Sequence, residues 1–259
     1  MSAEPLVTIN VSKSQTLLFY DHHLTYKGER IAYTDIDGLS YLWERTTHTV
    51  YLIPAGSTSQ FTIKIQANGK THKIGFSAGS FLLGKSQSEK EKEEIFAKFY
   101  AVIENLIKPF VMVNLLLQVA DAQALTVDAL TITPQGLYRK RFWRGPEFLP
   151  WGRYYNSDVE AGALHVYRQD ERKTYAEYFT CPMGNLNAVM VPEVLNFLFQ
   201  VDGILDDATK NELRRKKGEL TSAASIHTDG EHASGYCWSC SAPIETGQRF
   251  CTRCGSKLI

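Results

Sequence analysis

The chain has 259 residues, 44% hydrophobic and 22% charged, the make-up of a globular protein long enough for one large domain, or two small ones with an accessory module, and not of a disordered or fibrous chain. Its 28 Lys and Arg balance 28 Asp and Glu, so no global field draws it to nucleic acid or to an anionic membrane, and any such affinity must be local. The N-terminus, MSAEPLVTINVSKSQ, lacks a basic segment followed by an apolar one, and the most apolar window, PFVMVNLLLQVA, is about 12 residues where a bilayer needs roughly 20; neither export nor a transmembrane segment is expected, and the expected location is the cytoplasm.

Residues 16–27, TLLFYDHHLTYK, read as an alternating strand, a three-residue turn at Asp21-His22-His23 and a second strand opening with Leu24. TVYLI (49–53), FTIKIQ (61–66) and THKIGF (71–76) show the period-2 alternation of half-buried antiparallel strands, and ANGK supplies the Asn-Gly of a tight hairpin. From Ser88 the period changes. SEKEKEEIFAKFYAVIENLI sets Ile95, Phe99, Val102, Ile103 and Leu106 on one helical stripe, with Glu in the first turn, where the helix dipole favours negative charge.

Just before this helix, residues 79–86 read GSFLLGKS, a letter-for-letter P-loop in which Lys85 and Ser86 would hold phosphate and metal. The surroundings argue against it. A working P-loop follows a buried parallel strand that is apolar throughout, whereas THKIGF alternates. Phe81-Leu82-Leu83 is bulky where backbone N–H groups should wrap phosphate, and QSEKEKEE crowds mixed charges nearby. The stretch is expected to be a strand-to-helix connection that binds no nucleotide.

The pattern then recurs. ALTITPQGLYRK (129–140) aligns with 16–27 without a gap, with Pro134-Gln135-Gly136 as its turn, and PWGRY (150–154) aligns with AYTDI (32–36). The offset grows from 113 to 118, so the second copy carries about five extra residues in one loop. That loop contains YRKRFWRG (138–145), with Arg139, Lys140, Arg141 and Arg144 beside Phe142 and Trp143. Either these residues alternate between solvent and core on an edge strand, or they form a local site for a partner protein, an anionic lipid headgroup or single-stranded nucleic acid. ALHVYR (163–168) and TYAEYFT (174–180) are strands about the turn QDER, and VPEVLNFLFQV (191–201) is a short helix with Pro192 near its first position. No catalytic constellation stands out: Cys181 reads as a buried structural thiol, and His22-His23 has no Ser or Cys beside it in a recognisable motif. The chain is expected not to be an enzyme.

Strands first and one amphipathic helix last, with the aromatic-small-charged-apolar step of AYTDI and PWGRY, resembles the pleckstrin-homology-like domains common in bacterial proteins, over about residues 8–107 and 124–201. The resemblance implies an α+β, mainly antiparallel β fold: two tandem bent-sheet or barrel domains, at 1–120 and 121–205, each closed by a C-terminal helix. Such domains bind lipids, peptides or neighbouring domains, and basic residues in the first hairpin loop often hold anionic headgroups. The fold selects no single function.

DDATKNELRRKKGEL should form a short helix capped by Asp206 or Asp207 and closed near Gly218; TSAASIHTDGEHASG after it is a polar tether, so that 206–234 links the body to a last module at 235–259. There Cys237, Cys240, Cys251 and Cys254 make C-x2-C-x10-C-x2-C. Paired cysteines two residues apart aim both thiolates at one ion, and two such knuckles complete the tetrahedron that Zn²⁺ accepts. Four thiolates leave no open position for water, so the zinc is structural, and a module of this size folds on metal binding worth about 10–16 kcal/mol. YCWSCSAPIETGQRFCTRCGSKLI resembles the short zinc ribbons of many bacterial proteins, with Pro243 and Gly247 in the middle hairpin, Phe250 before the third Cys, and Gly255 and Leu258 after the fourth. Gly235 and Ile244 depart from the ubiquitin-binding fingers that share the spacing of ten. Trp238, between the first two ligands, either packs on the ribbon's own hairpin or contacts a partner. The resulting expectation is a non-enzymatic cytoplasmic adaptor for a protein partner, with anionic lipid or nucleic acid as the alternative.

Overall fold

A computed structural model describes residues 4–12, 15–50, 53–81, 87–121, 124–141, 143–170 and 174–226. β1 (Val7–Ser12), β2 (Gln15–Phe19), β3 (His23–Tyr26) and β4 (Glu29–Ala32) form an antiparallel meander. Ile9, Val11, Leu17, Phe19, Leu24, Tyr26 and Ile31 fall on its buried face. Alternate side chains of a strand point to opposite faces, so this set covers one face of the sheet. Lys27 and Gly28 close β3 onto β4 with φ of 51° and 78°, the paired left-handed conformation that matches hairpin twist. A 3₁₀ turn at Tyr33–Asp35 follows, then a second meander of β5 (Ile36–Val50), β6 (Ile53–Ala67) and β7 (Lys70–Phe81). Asn68 and Gly69, at φ 51° and 74°, form the hairpin expected from ANGK.

The same order returns: β8 (Leu125–Val127), β9 (Leu130–Thr133), β10 (Gly136–Arg139) and β11 (Glu147–Pro150), a 3₁₀ turn at Trp151–Arg153, then β12 (Tyr154–Glu160), β13 (Ala163–Gln169) and β14 (Tyr175–Pro182). The likeness extends to single bonds. Each 3₁₀ turn opens with a buried aromatic that donates a hydrogen bond back to the earlier hairpin, Tyr33 Oη to Tyr20 O at 2.7 Å and Trp151 Nε1 to Pro134 O at 2.8 Å. Each following strand is bulged near its start, between Ile36 and Gly38 and between Tyr154 and Asn156.

Of the two forms expected, bent sheet or barrel, no closed barrel is formed among the described residues. Among the described residues the strands make four open sheets, because each 3₁₀ turn takes the chain out of its ladder between the fourth and fifth strands. Residues 49–53 are not a separate strand either: Val50 pairs with Ile53, and the segment ends a hairpin whose two strands are 15 residues each. The alternation of residues runs on through that reversal, so periodicity carries no mark of it.

α1 (Gln87–Val102), a π segment at Ile103–Ile107 and α2 (Lys108–Ala120) form one helical run, where a helix ending near residue 107 was expected. Pro109 has no N–H to donate and its ring crowds the carbonyl four residues back. The wide π turn just before it opens the ladder there, and the helix continues. Phe99, Val102, Ile103, Ile107, Val111, Leu115 and Val119 are buried along it. Lys90–Ala120 is long and apolar enough to cross a membrane by length and composition, a continuity the twelve-residue window did not register; half of its most apolar window is buried inside the fold.

α3 (Val191–Gln200) and α4 (Asp207–Ile226) follow the second set of strands. Asp206 caps α4, its Oδ1 accepting from Thr209 N at 2.7 Å, as expected. Gly218 does not close the helix. Arg215 pairs with both Glu212 and Glu219, bridging the glycine, and α4 runs on to Ile226 through part of the expected tether.

The two sets of sheets meet at the loop before α3. Asn187 is buried at φ 64°; its N donates to Leu39 O at 2.8 Å, its Oδ1 accepts from Leu39 N at 2.9 Å, and its Nδ2 donates to Asp37 O at 3.4 Å. Ser40 Oγ and Lys64 Nζ both donate to Gly184 O, at 3.1 and 2.6 Å. One buried apolar cluster runs through both sets. Asn187→Ala leaves the Leu39 N–H without its partner at about 1–3 kcal/mol and keeps a left-handed backbone that Ala resists. Urea unfolding should show a loss of about 3 kcal/mol; a loss under about 1 kcal/mol would show that the joint does not hold the two sets together.

Candidate functional site

The register of one hairpin builds the described part of the basic cluster. Arg139 ends β10 directly opposite Glu147 at the start of β11, and the intervening loop carries Lys140, Arg141, Trp143 and Arg144; Phe142 lies outside the described residues. Arg139 and Arg141 both pair with Glu147, the latter at 2.5 Å. Arg168 reaches it from β13, also at 2.5 Å. Arg139 further donates to Tyr178 O and lies over the Tyr178 ring, 4.9 Å from its centroid. Tyr178 Oη donates to Glu147 O at 2.6 Å. Burial alone would raise the Glu147 carboxyl pKa; hydrogen bonds and charge from Arg139, Arg168 and Arg141 outweigh it and hold the group below the usual carboxylate range. The Nε–H groups of Arg139 and Arg168 are buried and donate to no acceptor among the described residues.

The structure therefore divides the residues singled out from the sequence. Arg139 and Arg141 are tied to a carboxylate, while Lys140 and Arg144 are exposed and Trp143 is 90% exposed. Sequence reasoning missed Glu147, Arg168 and Tyr178. Glu147 stands after the loop, and only the hairpin register places it opposite Arg139; Arg168 comes from another sheet and leaves no local trace.

A second polar cluster joins β5, the π segment and α3. Tyr41 Oη donates to Glu104 Oε1 at 2.7 Å, and Lys108 Nζ bridges Glu104 at 2.8 Å and Glu193 at 2.5 Å. Burial would lower the Lys108 pKa, but its two carboxylates raise it, so the ammonium stays charged in a largely enclosed position. Cys181 lies buried on β14 and its thiol is pushed up to about 11, first by burial and then by the charge of Asp128. A protonated thiol is a poor nucleophile. The P-loop spelling begins inside an antiparallel ladder: Gly79, Ser80 and Phe81 are β7 residues paired with Thr58, Ser57 and Gly56. Lys85 and Ser86 lie outside the described residues, as do Cys237, Trp238, Cys240, Cys251 and Cys254. Among the described residues no group of three His, Cys, Asp or Glu side chains is arranged to hold a metal ion.

Residues 236–258 match the family model of a zinc-ribbon domain, a stretch that includes all four closely spaced cysteines. Domains of this kind usually hold zinc structurally and, in general, bind nucleic acid or protein. No curated protein matches the chain.

Glu147 gives a pH prediction. Its folded pKa is depressed, so its contribution is present above the ordinary carboxylate pKa and is lost as pH falls through that value toward the folded one. Glu147→Gln should cost about 1–3 kcal/mol at pH 7, leaving three guanidinium groups without their counter-charge, and the gap from the wild type should close between about pH 5 and pH 3 in urea titrations. A gap constant across that range would mean that Glu147 acts by packing.

Proposed function

We propose that the protein is a non-enzymatic adaptor of the bacterial cytoplasm, in which two pleckstrin-homology-like units form a scaffold and the tethered ribbon is a binding head for a protein partner. The zinc-ribbon match at residues 236–258 carries this reading. Cys237, Cys240, Cys251 and Cys254 supply a closed set of four thiolate donors, which suits Zn²⁺ as a fold-maker and leaves no coordination position for a substrate. The duplicated order of four strands, a 3₁₀ turn, three strands and a helix supports the scaffold. The domain limits 1–120 and 121–205 follow that order, with α2 also serving as the wall against which α4 lies. In this reading residues 79–86 hold no nucleotide, since Gly79, Ser80 and Phe81 are hydrogen-bonded ladder residues whose N–H groups are not gathered in a phosphate cup.

The test is metal content with function measured on the same sample. The purified chain should carry one tightly held zinc per molecule; Cys251→Ser with Cys254→Ser should lose it and lower partner recovery at least tenfold, while the melting transition of the body stays in place. Zinc-free wild-type protein, or full partner recovery by the double variant, would overturn the reading.

The exposed trio Lys140, Trp143 and Arg144 favours a second reading, attachment to an anionic lipid surface or to nucleic acid. Lys140→Ala with Arg144→Ala should abolish co-sedimentation with phosphatidylserine vesicles, or flatten the salt dependence of single-stranded DNA binding, with the melting temperature unchanged. Wild-type protein that shows neither activity at low salt would dispose of this reading.

A further inference from the structure

In the first set of sheets the outer edge of β5 is occupied: Leu39 spends its outward N–H and C=O on Asn187, at 2.9 and 2.8 Å. The repeat puts Ser157 of β12 at the same position. The step of 118 that sets Tyr33 on Trp151 sets Leu39 on Ser157, and both strands are bulged between their first and third residues. β12 is likewise an edge strand, in the order β12-β13-β14. The two-residue turn Ala161-Gly162 makes Glu160 and Ala163 a hydrogen-bonded pair and Asp158 and His165 the next, so the N–H and C=O groups of Ser157 and Val159 point away from β13. Among the described residues no hydrogen bond from outside the sheet reaches them. Such an edge is a template for another extended chain. We propose that the β12 edge docks an extended segment of a partner protein, added as a further strand, whose side chains alternate between apolar and basic. The site lies on the body and does not depend on the ribbon.

The chemistry of the segment follows from the register, because residues opposite one another share a face of the sheet. Ser157 and Val159 stand opposite Val166 and Leu164, both buried, so incoming residues beside them fall on the core face. Val159 is half exposed there, and at the other end of the strand Tyr154 meets the ring of Phe199 on α3 edge-on, with centroids 5.2 Å apart and Phe199 43% exposed. Apolar side chains suit that face. Asp158 and Glu160, both exposed, lie on the opposite face. His165 stands opposite Asp158 but is paired with Glu177 at 2.8 Å, and Arg153, where the chain enters the strand, is turned to Gln169 O. Among the described residues no Lys or Arg forms an ion pair with Asp158 or Glu160. Lys or Arg at alternate positions of the incoming strand supplies those partners. The same carboxylates disfavour a second copy, since two β12 edges laid together gather four of them along one seam.

The proposal is tested on the full-length chain with fluorescein-labelled eight-residue peptides, read by fluorescence anisotropy at low salt. A peptide of alternating Val and Lys should bind at least tenfold more tightly than one of alternating Val and Glu, and than one with four Val followed by four Lys. It should also slow amide exchange of Ser157 and Val159 at least fivefold and leave Leu39, whose edge is filled, unchanged. Ser157→Pro, which removes an outward donor, should weaken binding at least fivefold. Asp158→Lys with Glu160→Lys, both on the exposed face, keeps the test sound where proline disturbs the strand, and should reverse the order of the Val-Lys and Val-Glu peptides with the melting temperature unchanged. Equal binding of the alternating and blocked peptides, or an order that survives the double variant, overturns the proposal. Protection of Ser157 and Val159 that arises without peptide and grows with protein concentration gives the edge to a second copy and also overturns it.

Discussion

The buried carboxamide of Asn187 is the joint on which the arrangement of the body depends. A side-chain amide offers a donor pair and an acceptor, and here they are spent on Leu39 N and Asp37 O while the backbone N–H of the same residue reaches Leu39 O. The loop thereby behaves as one more strand residue laid against the start of β5. Left-handed backbone is tolerated by Asn because its short polar side chain can bond locally, so residue type and conformation agree at this site. From this joint α3 sets out in a fixed direction. It brings Glu193 to Lys108, and Lys108 in turn holds Glu104, whose other oxygen receives Tyr41 from β5. The long helix is thus fastened to both sets of sheets by polar contacts at the very turn that Pro109 loosens.

Charge in this protein is balanced across the fold and not along the chain. Residues 45–88 contain no Asp or Glu, yet Lys64 and Lys70 within them find the carbonyl of Gly184 and the carboxylate of Glu29. The same principle governs Arg139, Arg141 and Arg168, which converge on one carboxylate from three places in the sequence. A count of basic residues in a loop therefore overstates the field the loop presents. Among the described residues of that loop, those most open to solvent are Lys140, Trp143 and Arg144, a set with fewer cations than the spelling RKRFWR suggests.

The repeat was legible because its anchors are local. The gapless alignment of 16–27 with 129–140 places β2 and β3 on β9 and β10, and the step AYTDI with PWGRY lands on the two 3₁₀ turns. Aromatic residues at those turns have a single geometry that satisfies their donor, so the pattern survives where most side chains differ. Other features were hidden for physical reasons. Proline at position 109 reads as a helix stop, and only the π turn that absorbs it shows otherwise; Gly218 reads as a cap, and only the Arg215 pairs on both sides of it show why the helix continues. The hairpins at Lys27-Gly28 and Ala161-Gly162 lack the Asn-Gly spelling although their first residues adopt the same positive φ. In the candidate site the cations were readable and their carboxylate was not, since a register must be known before Glu147 faces Arg139.

The ribbon was legible for the opposite reason: it depends on nothing beyond its own residues. Four thiolates at fixed spacing determine a coordination sphere without help from the body, which is why the cysteines and the zinc-ribbon match agree over the same stretch. That independence has a physical consequence. A module that folds on metal alone does not need the body for stability.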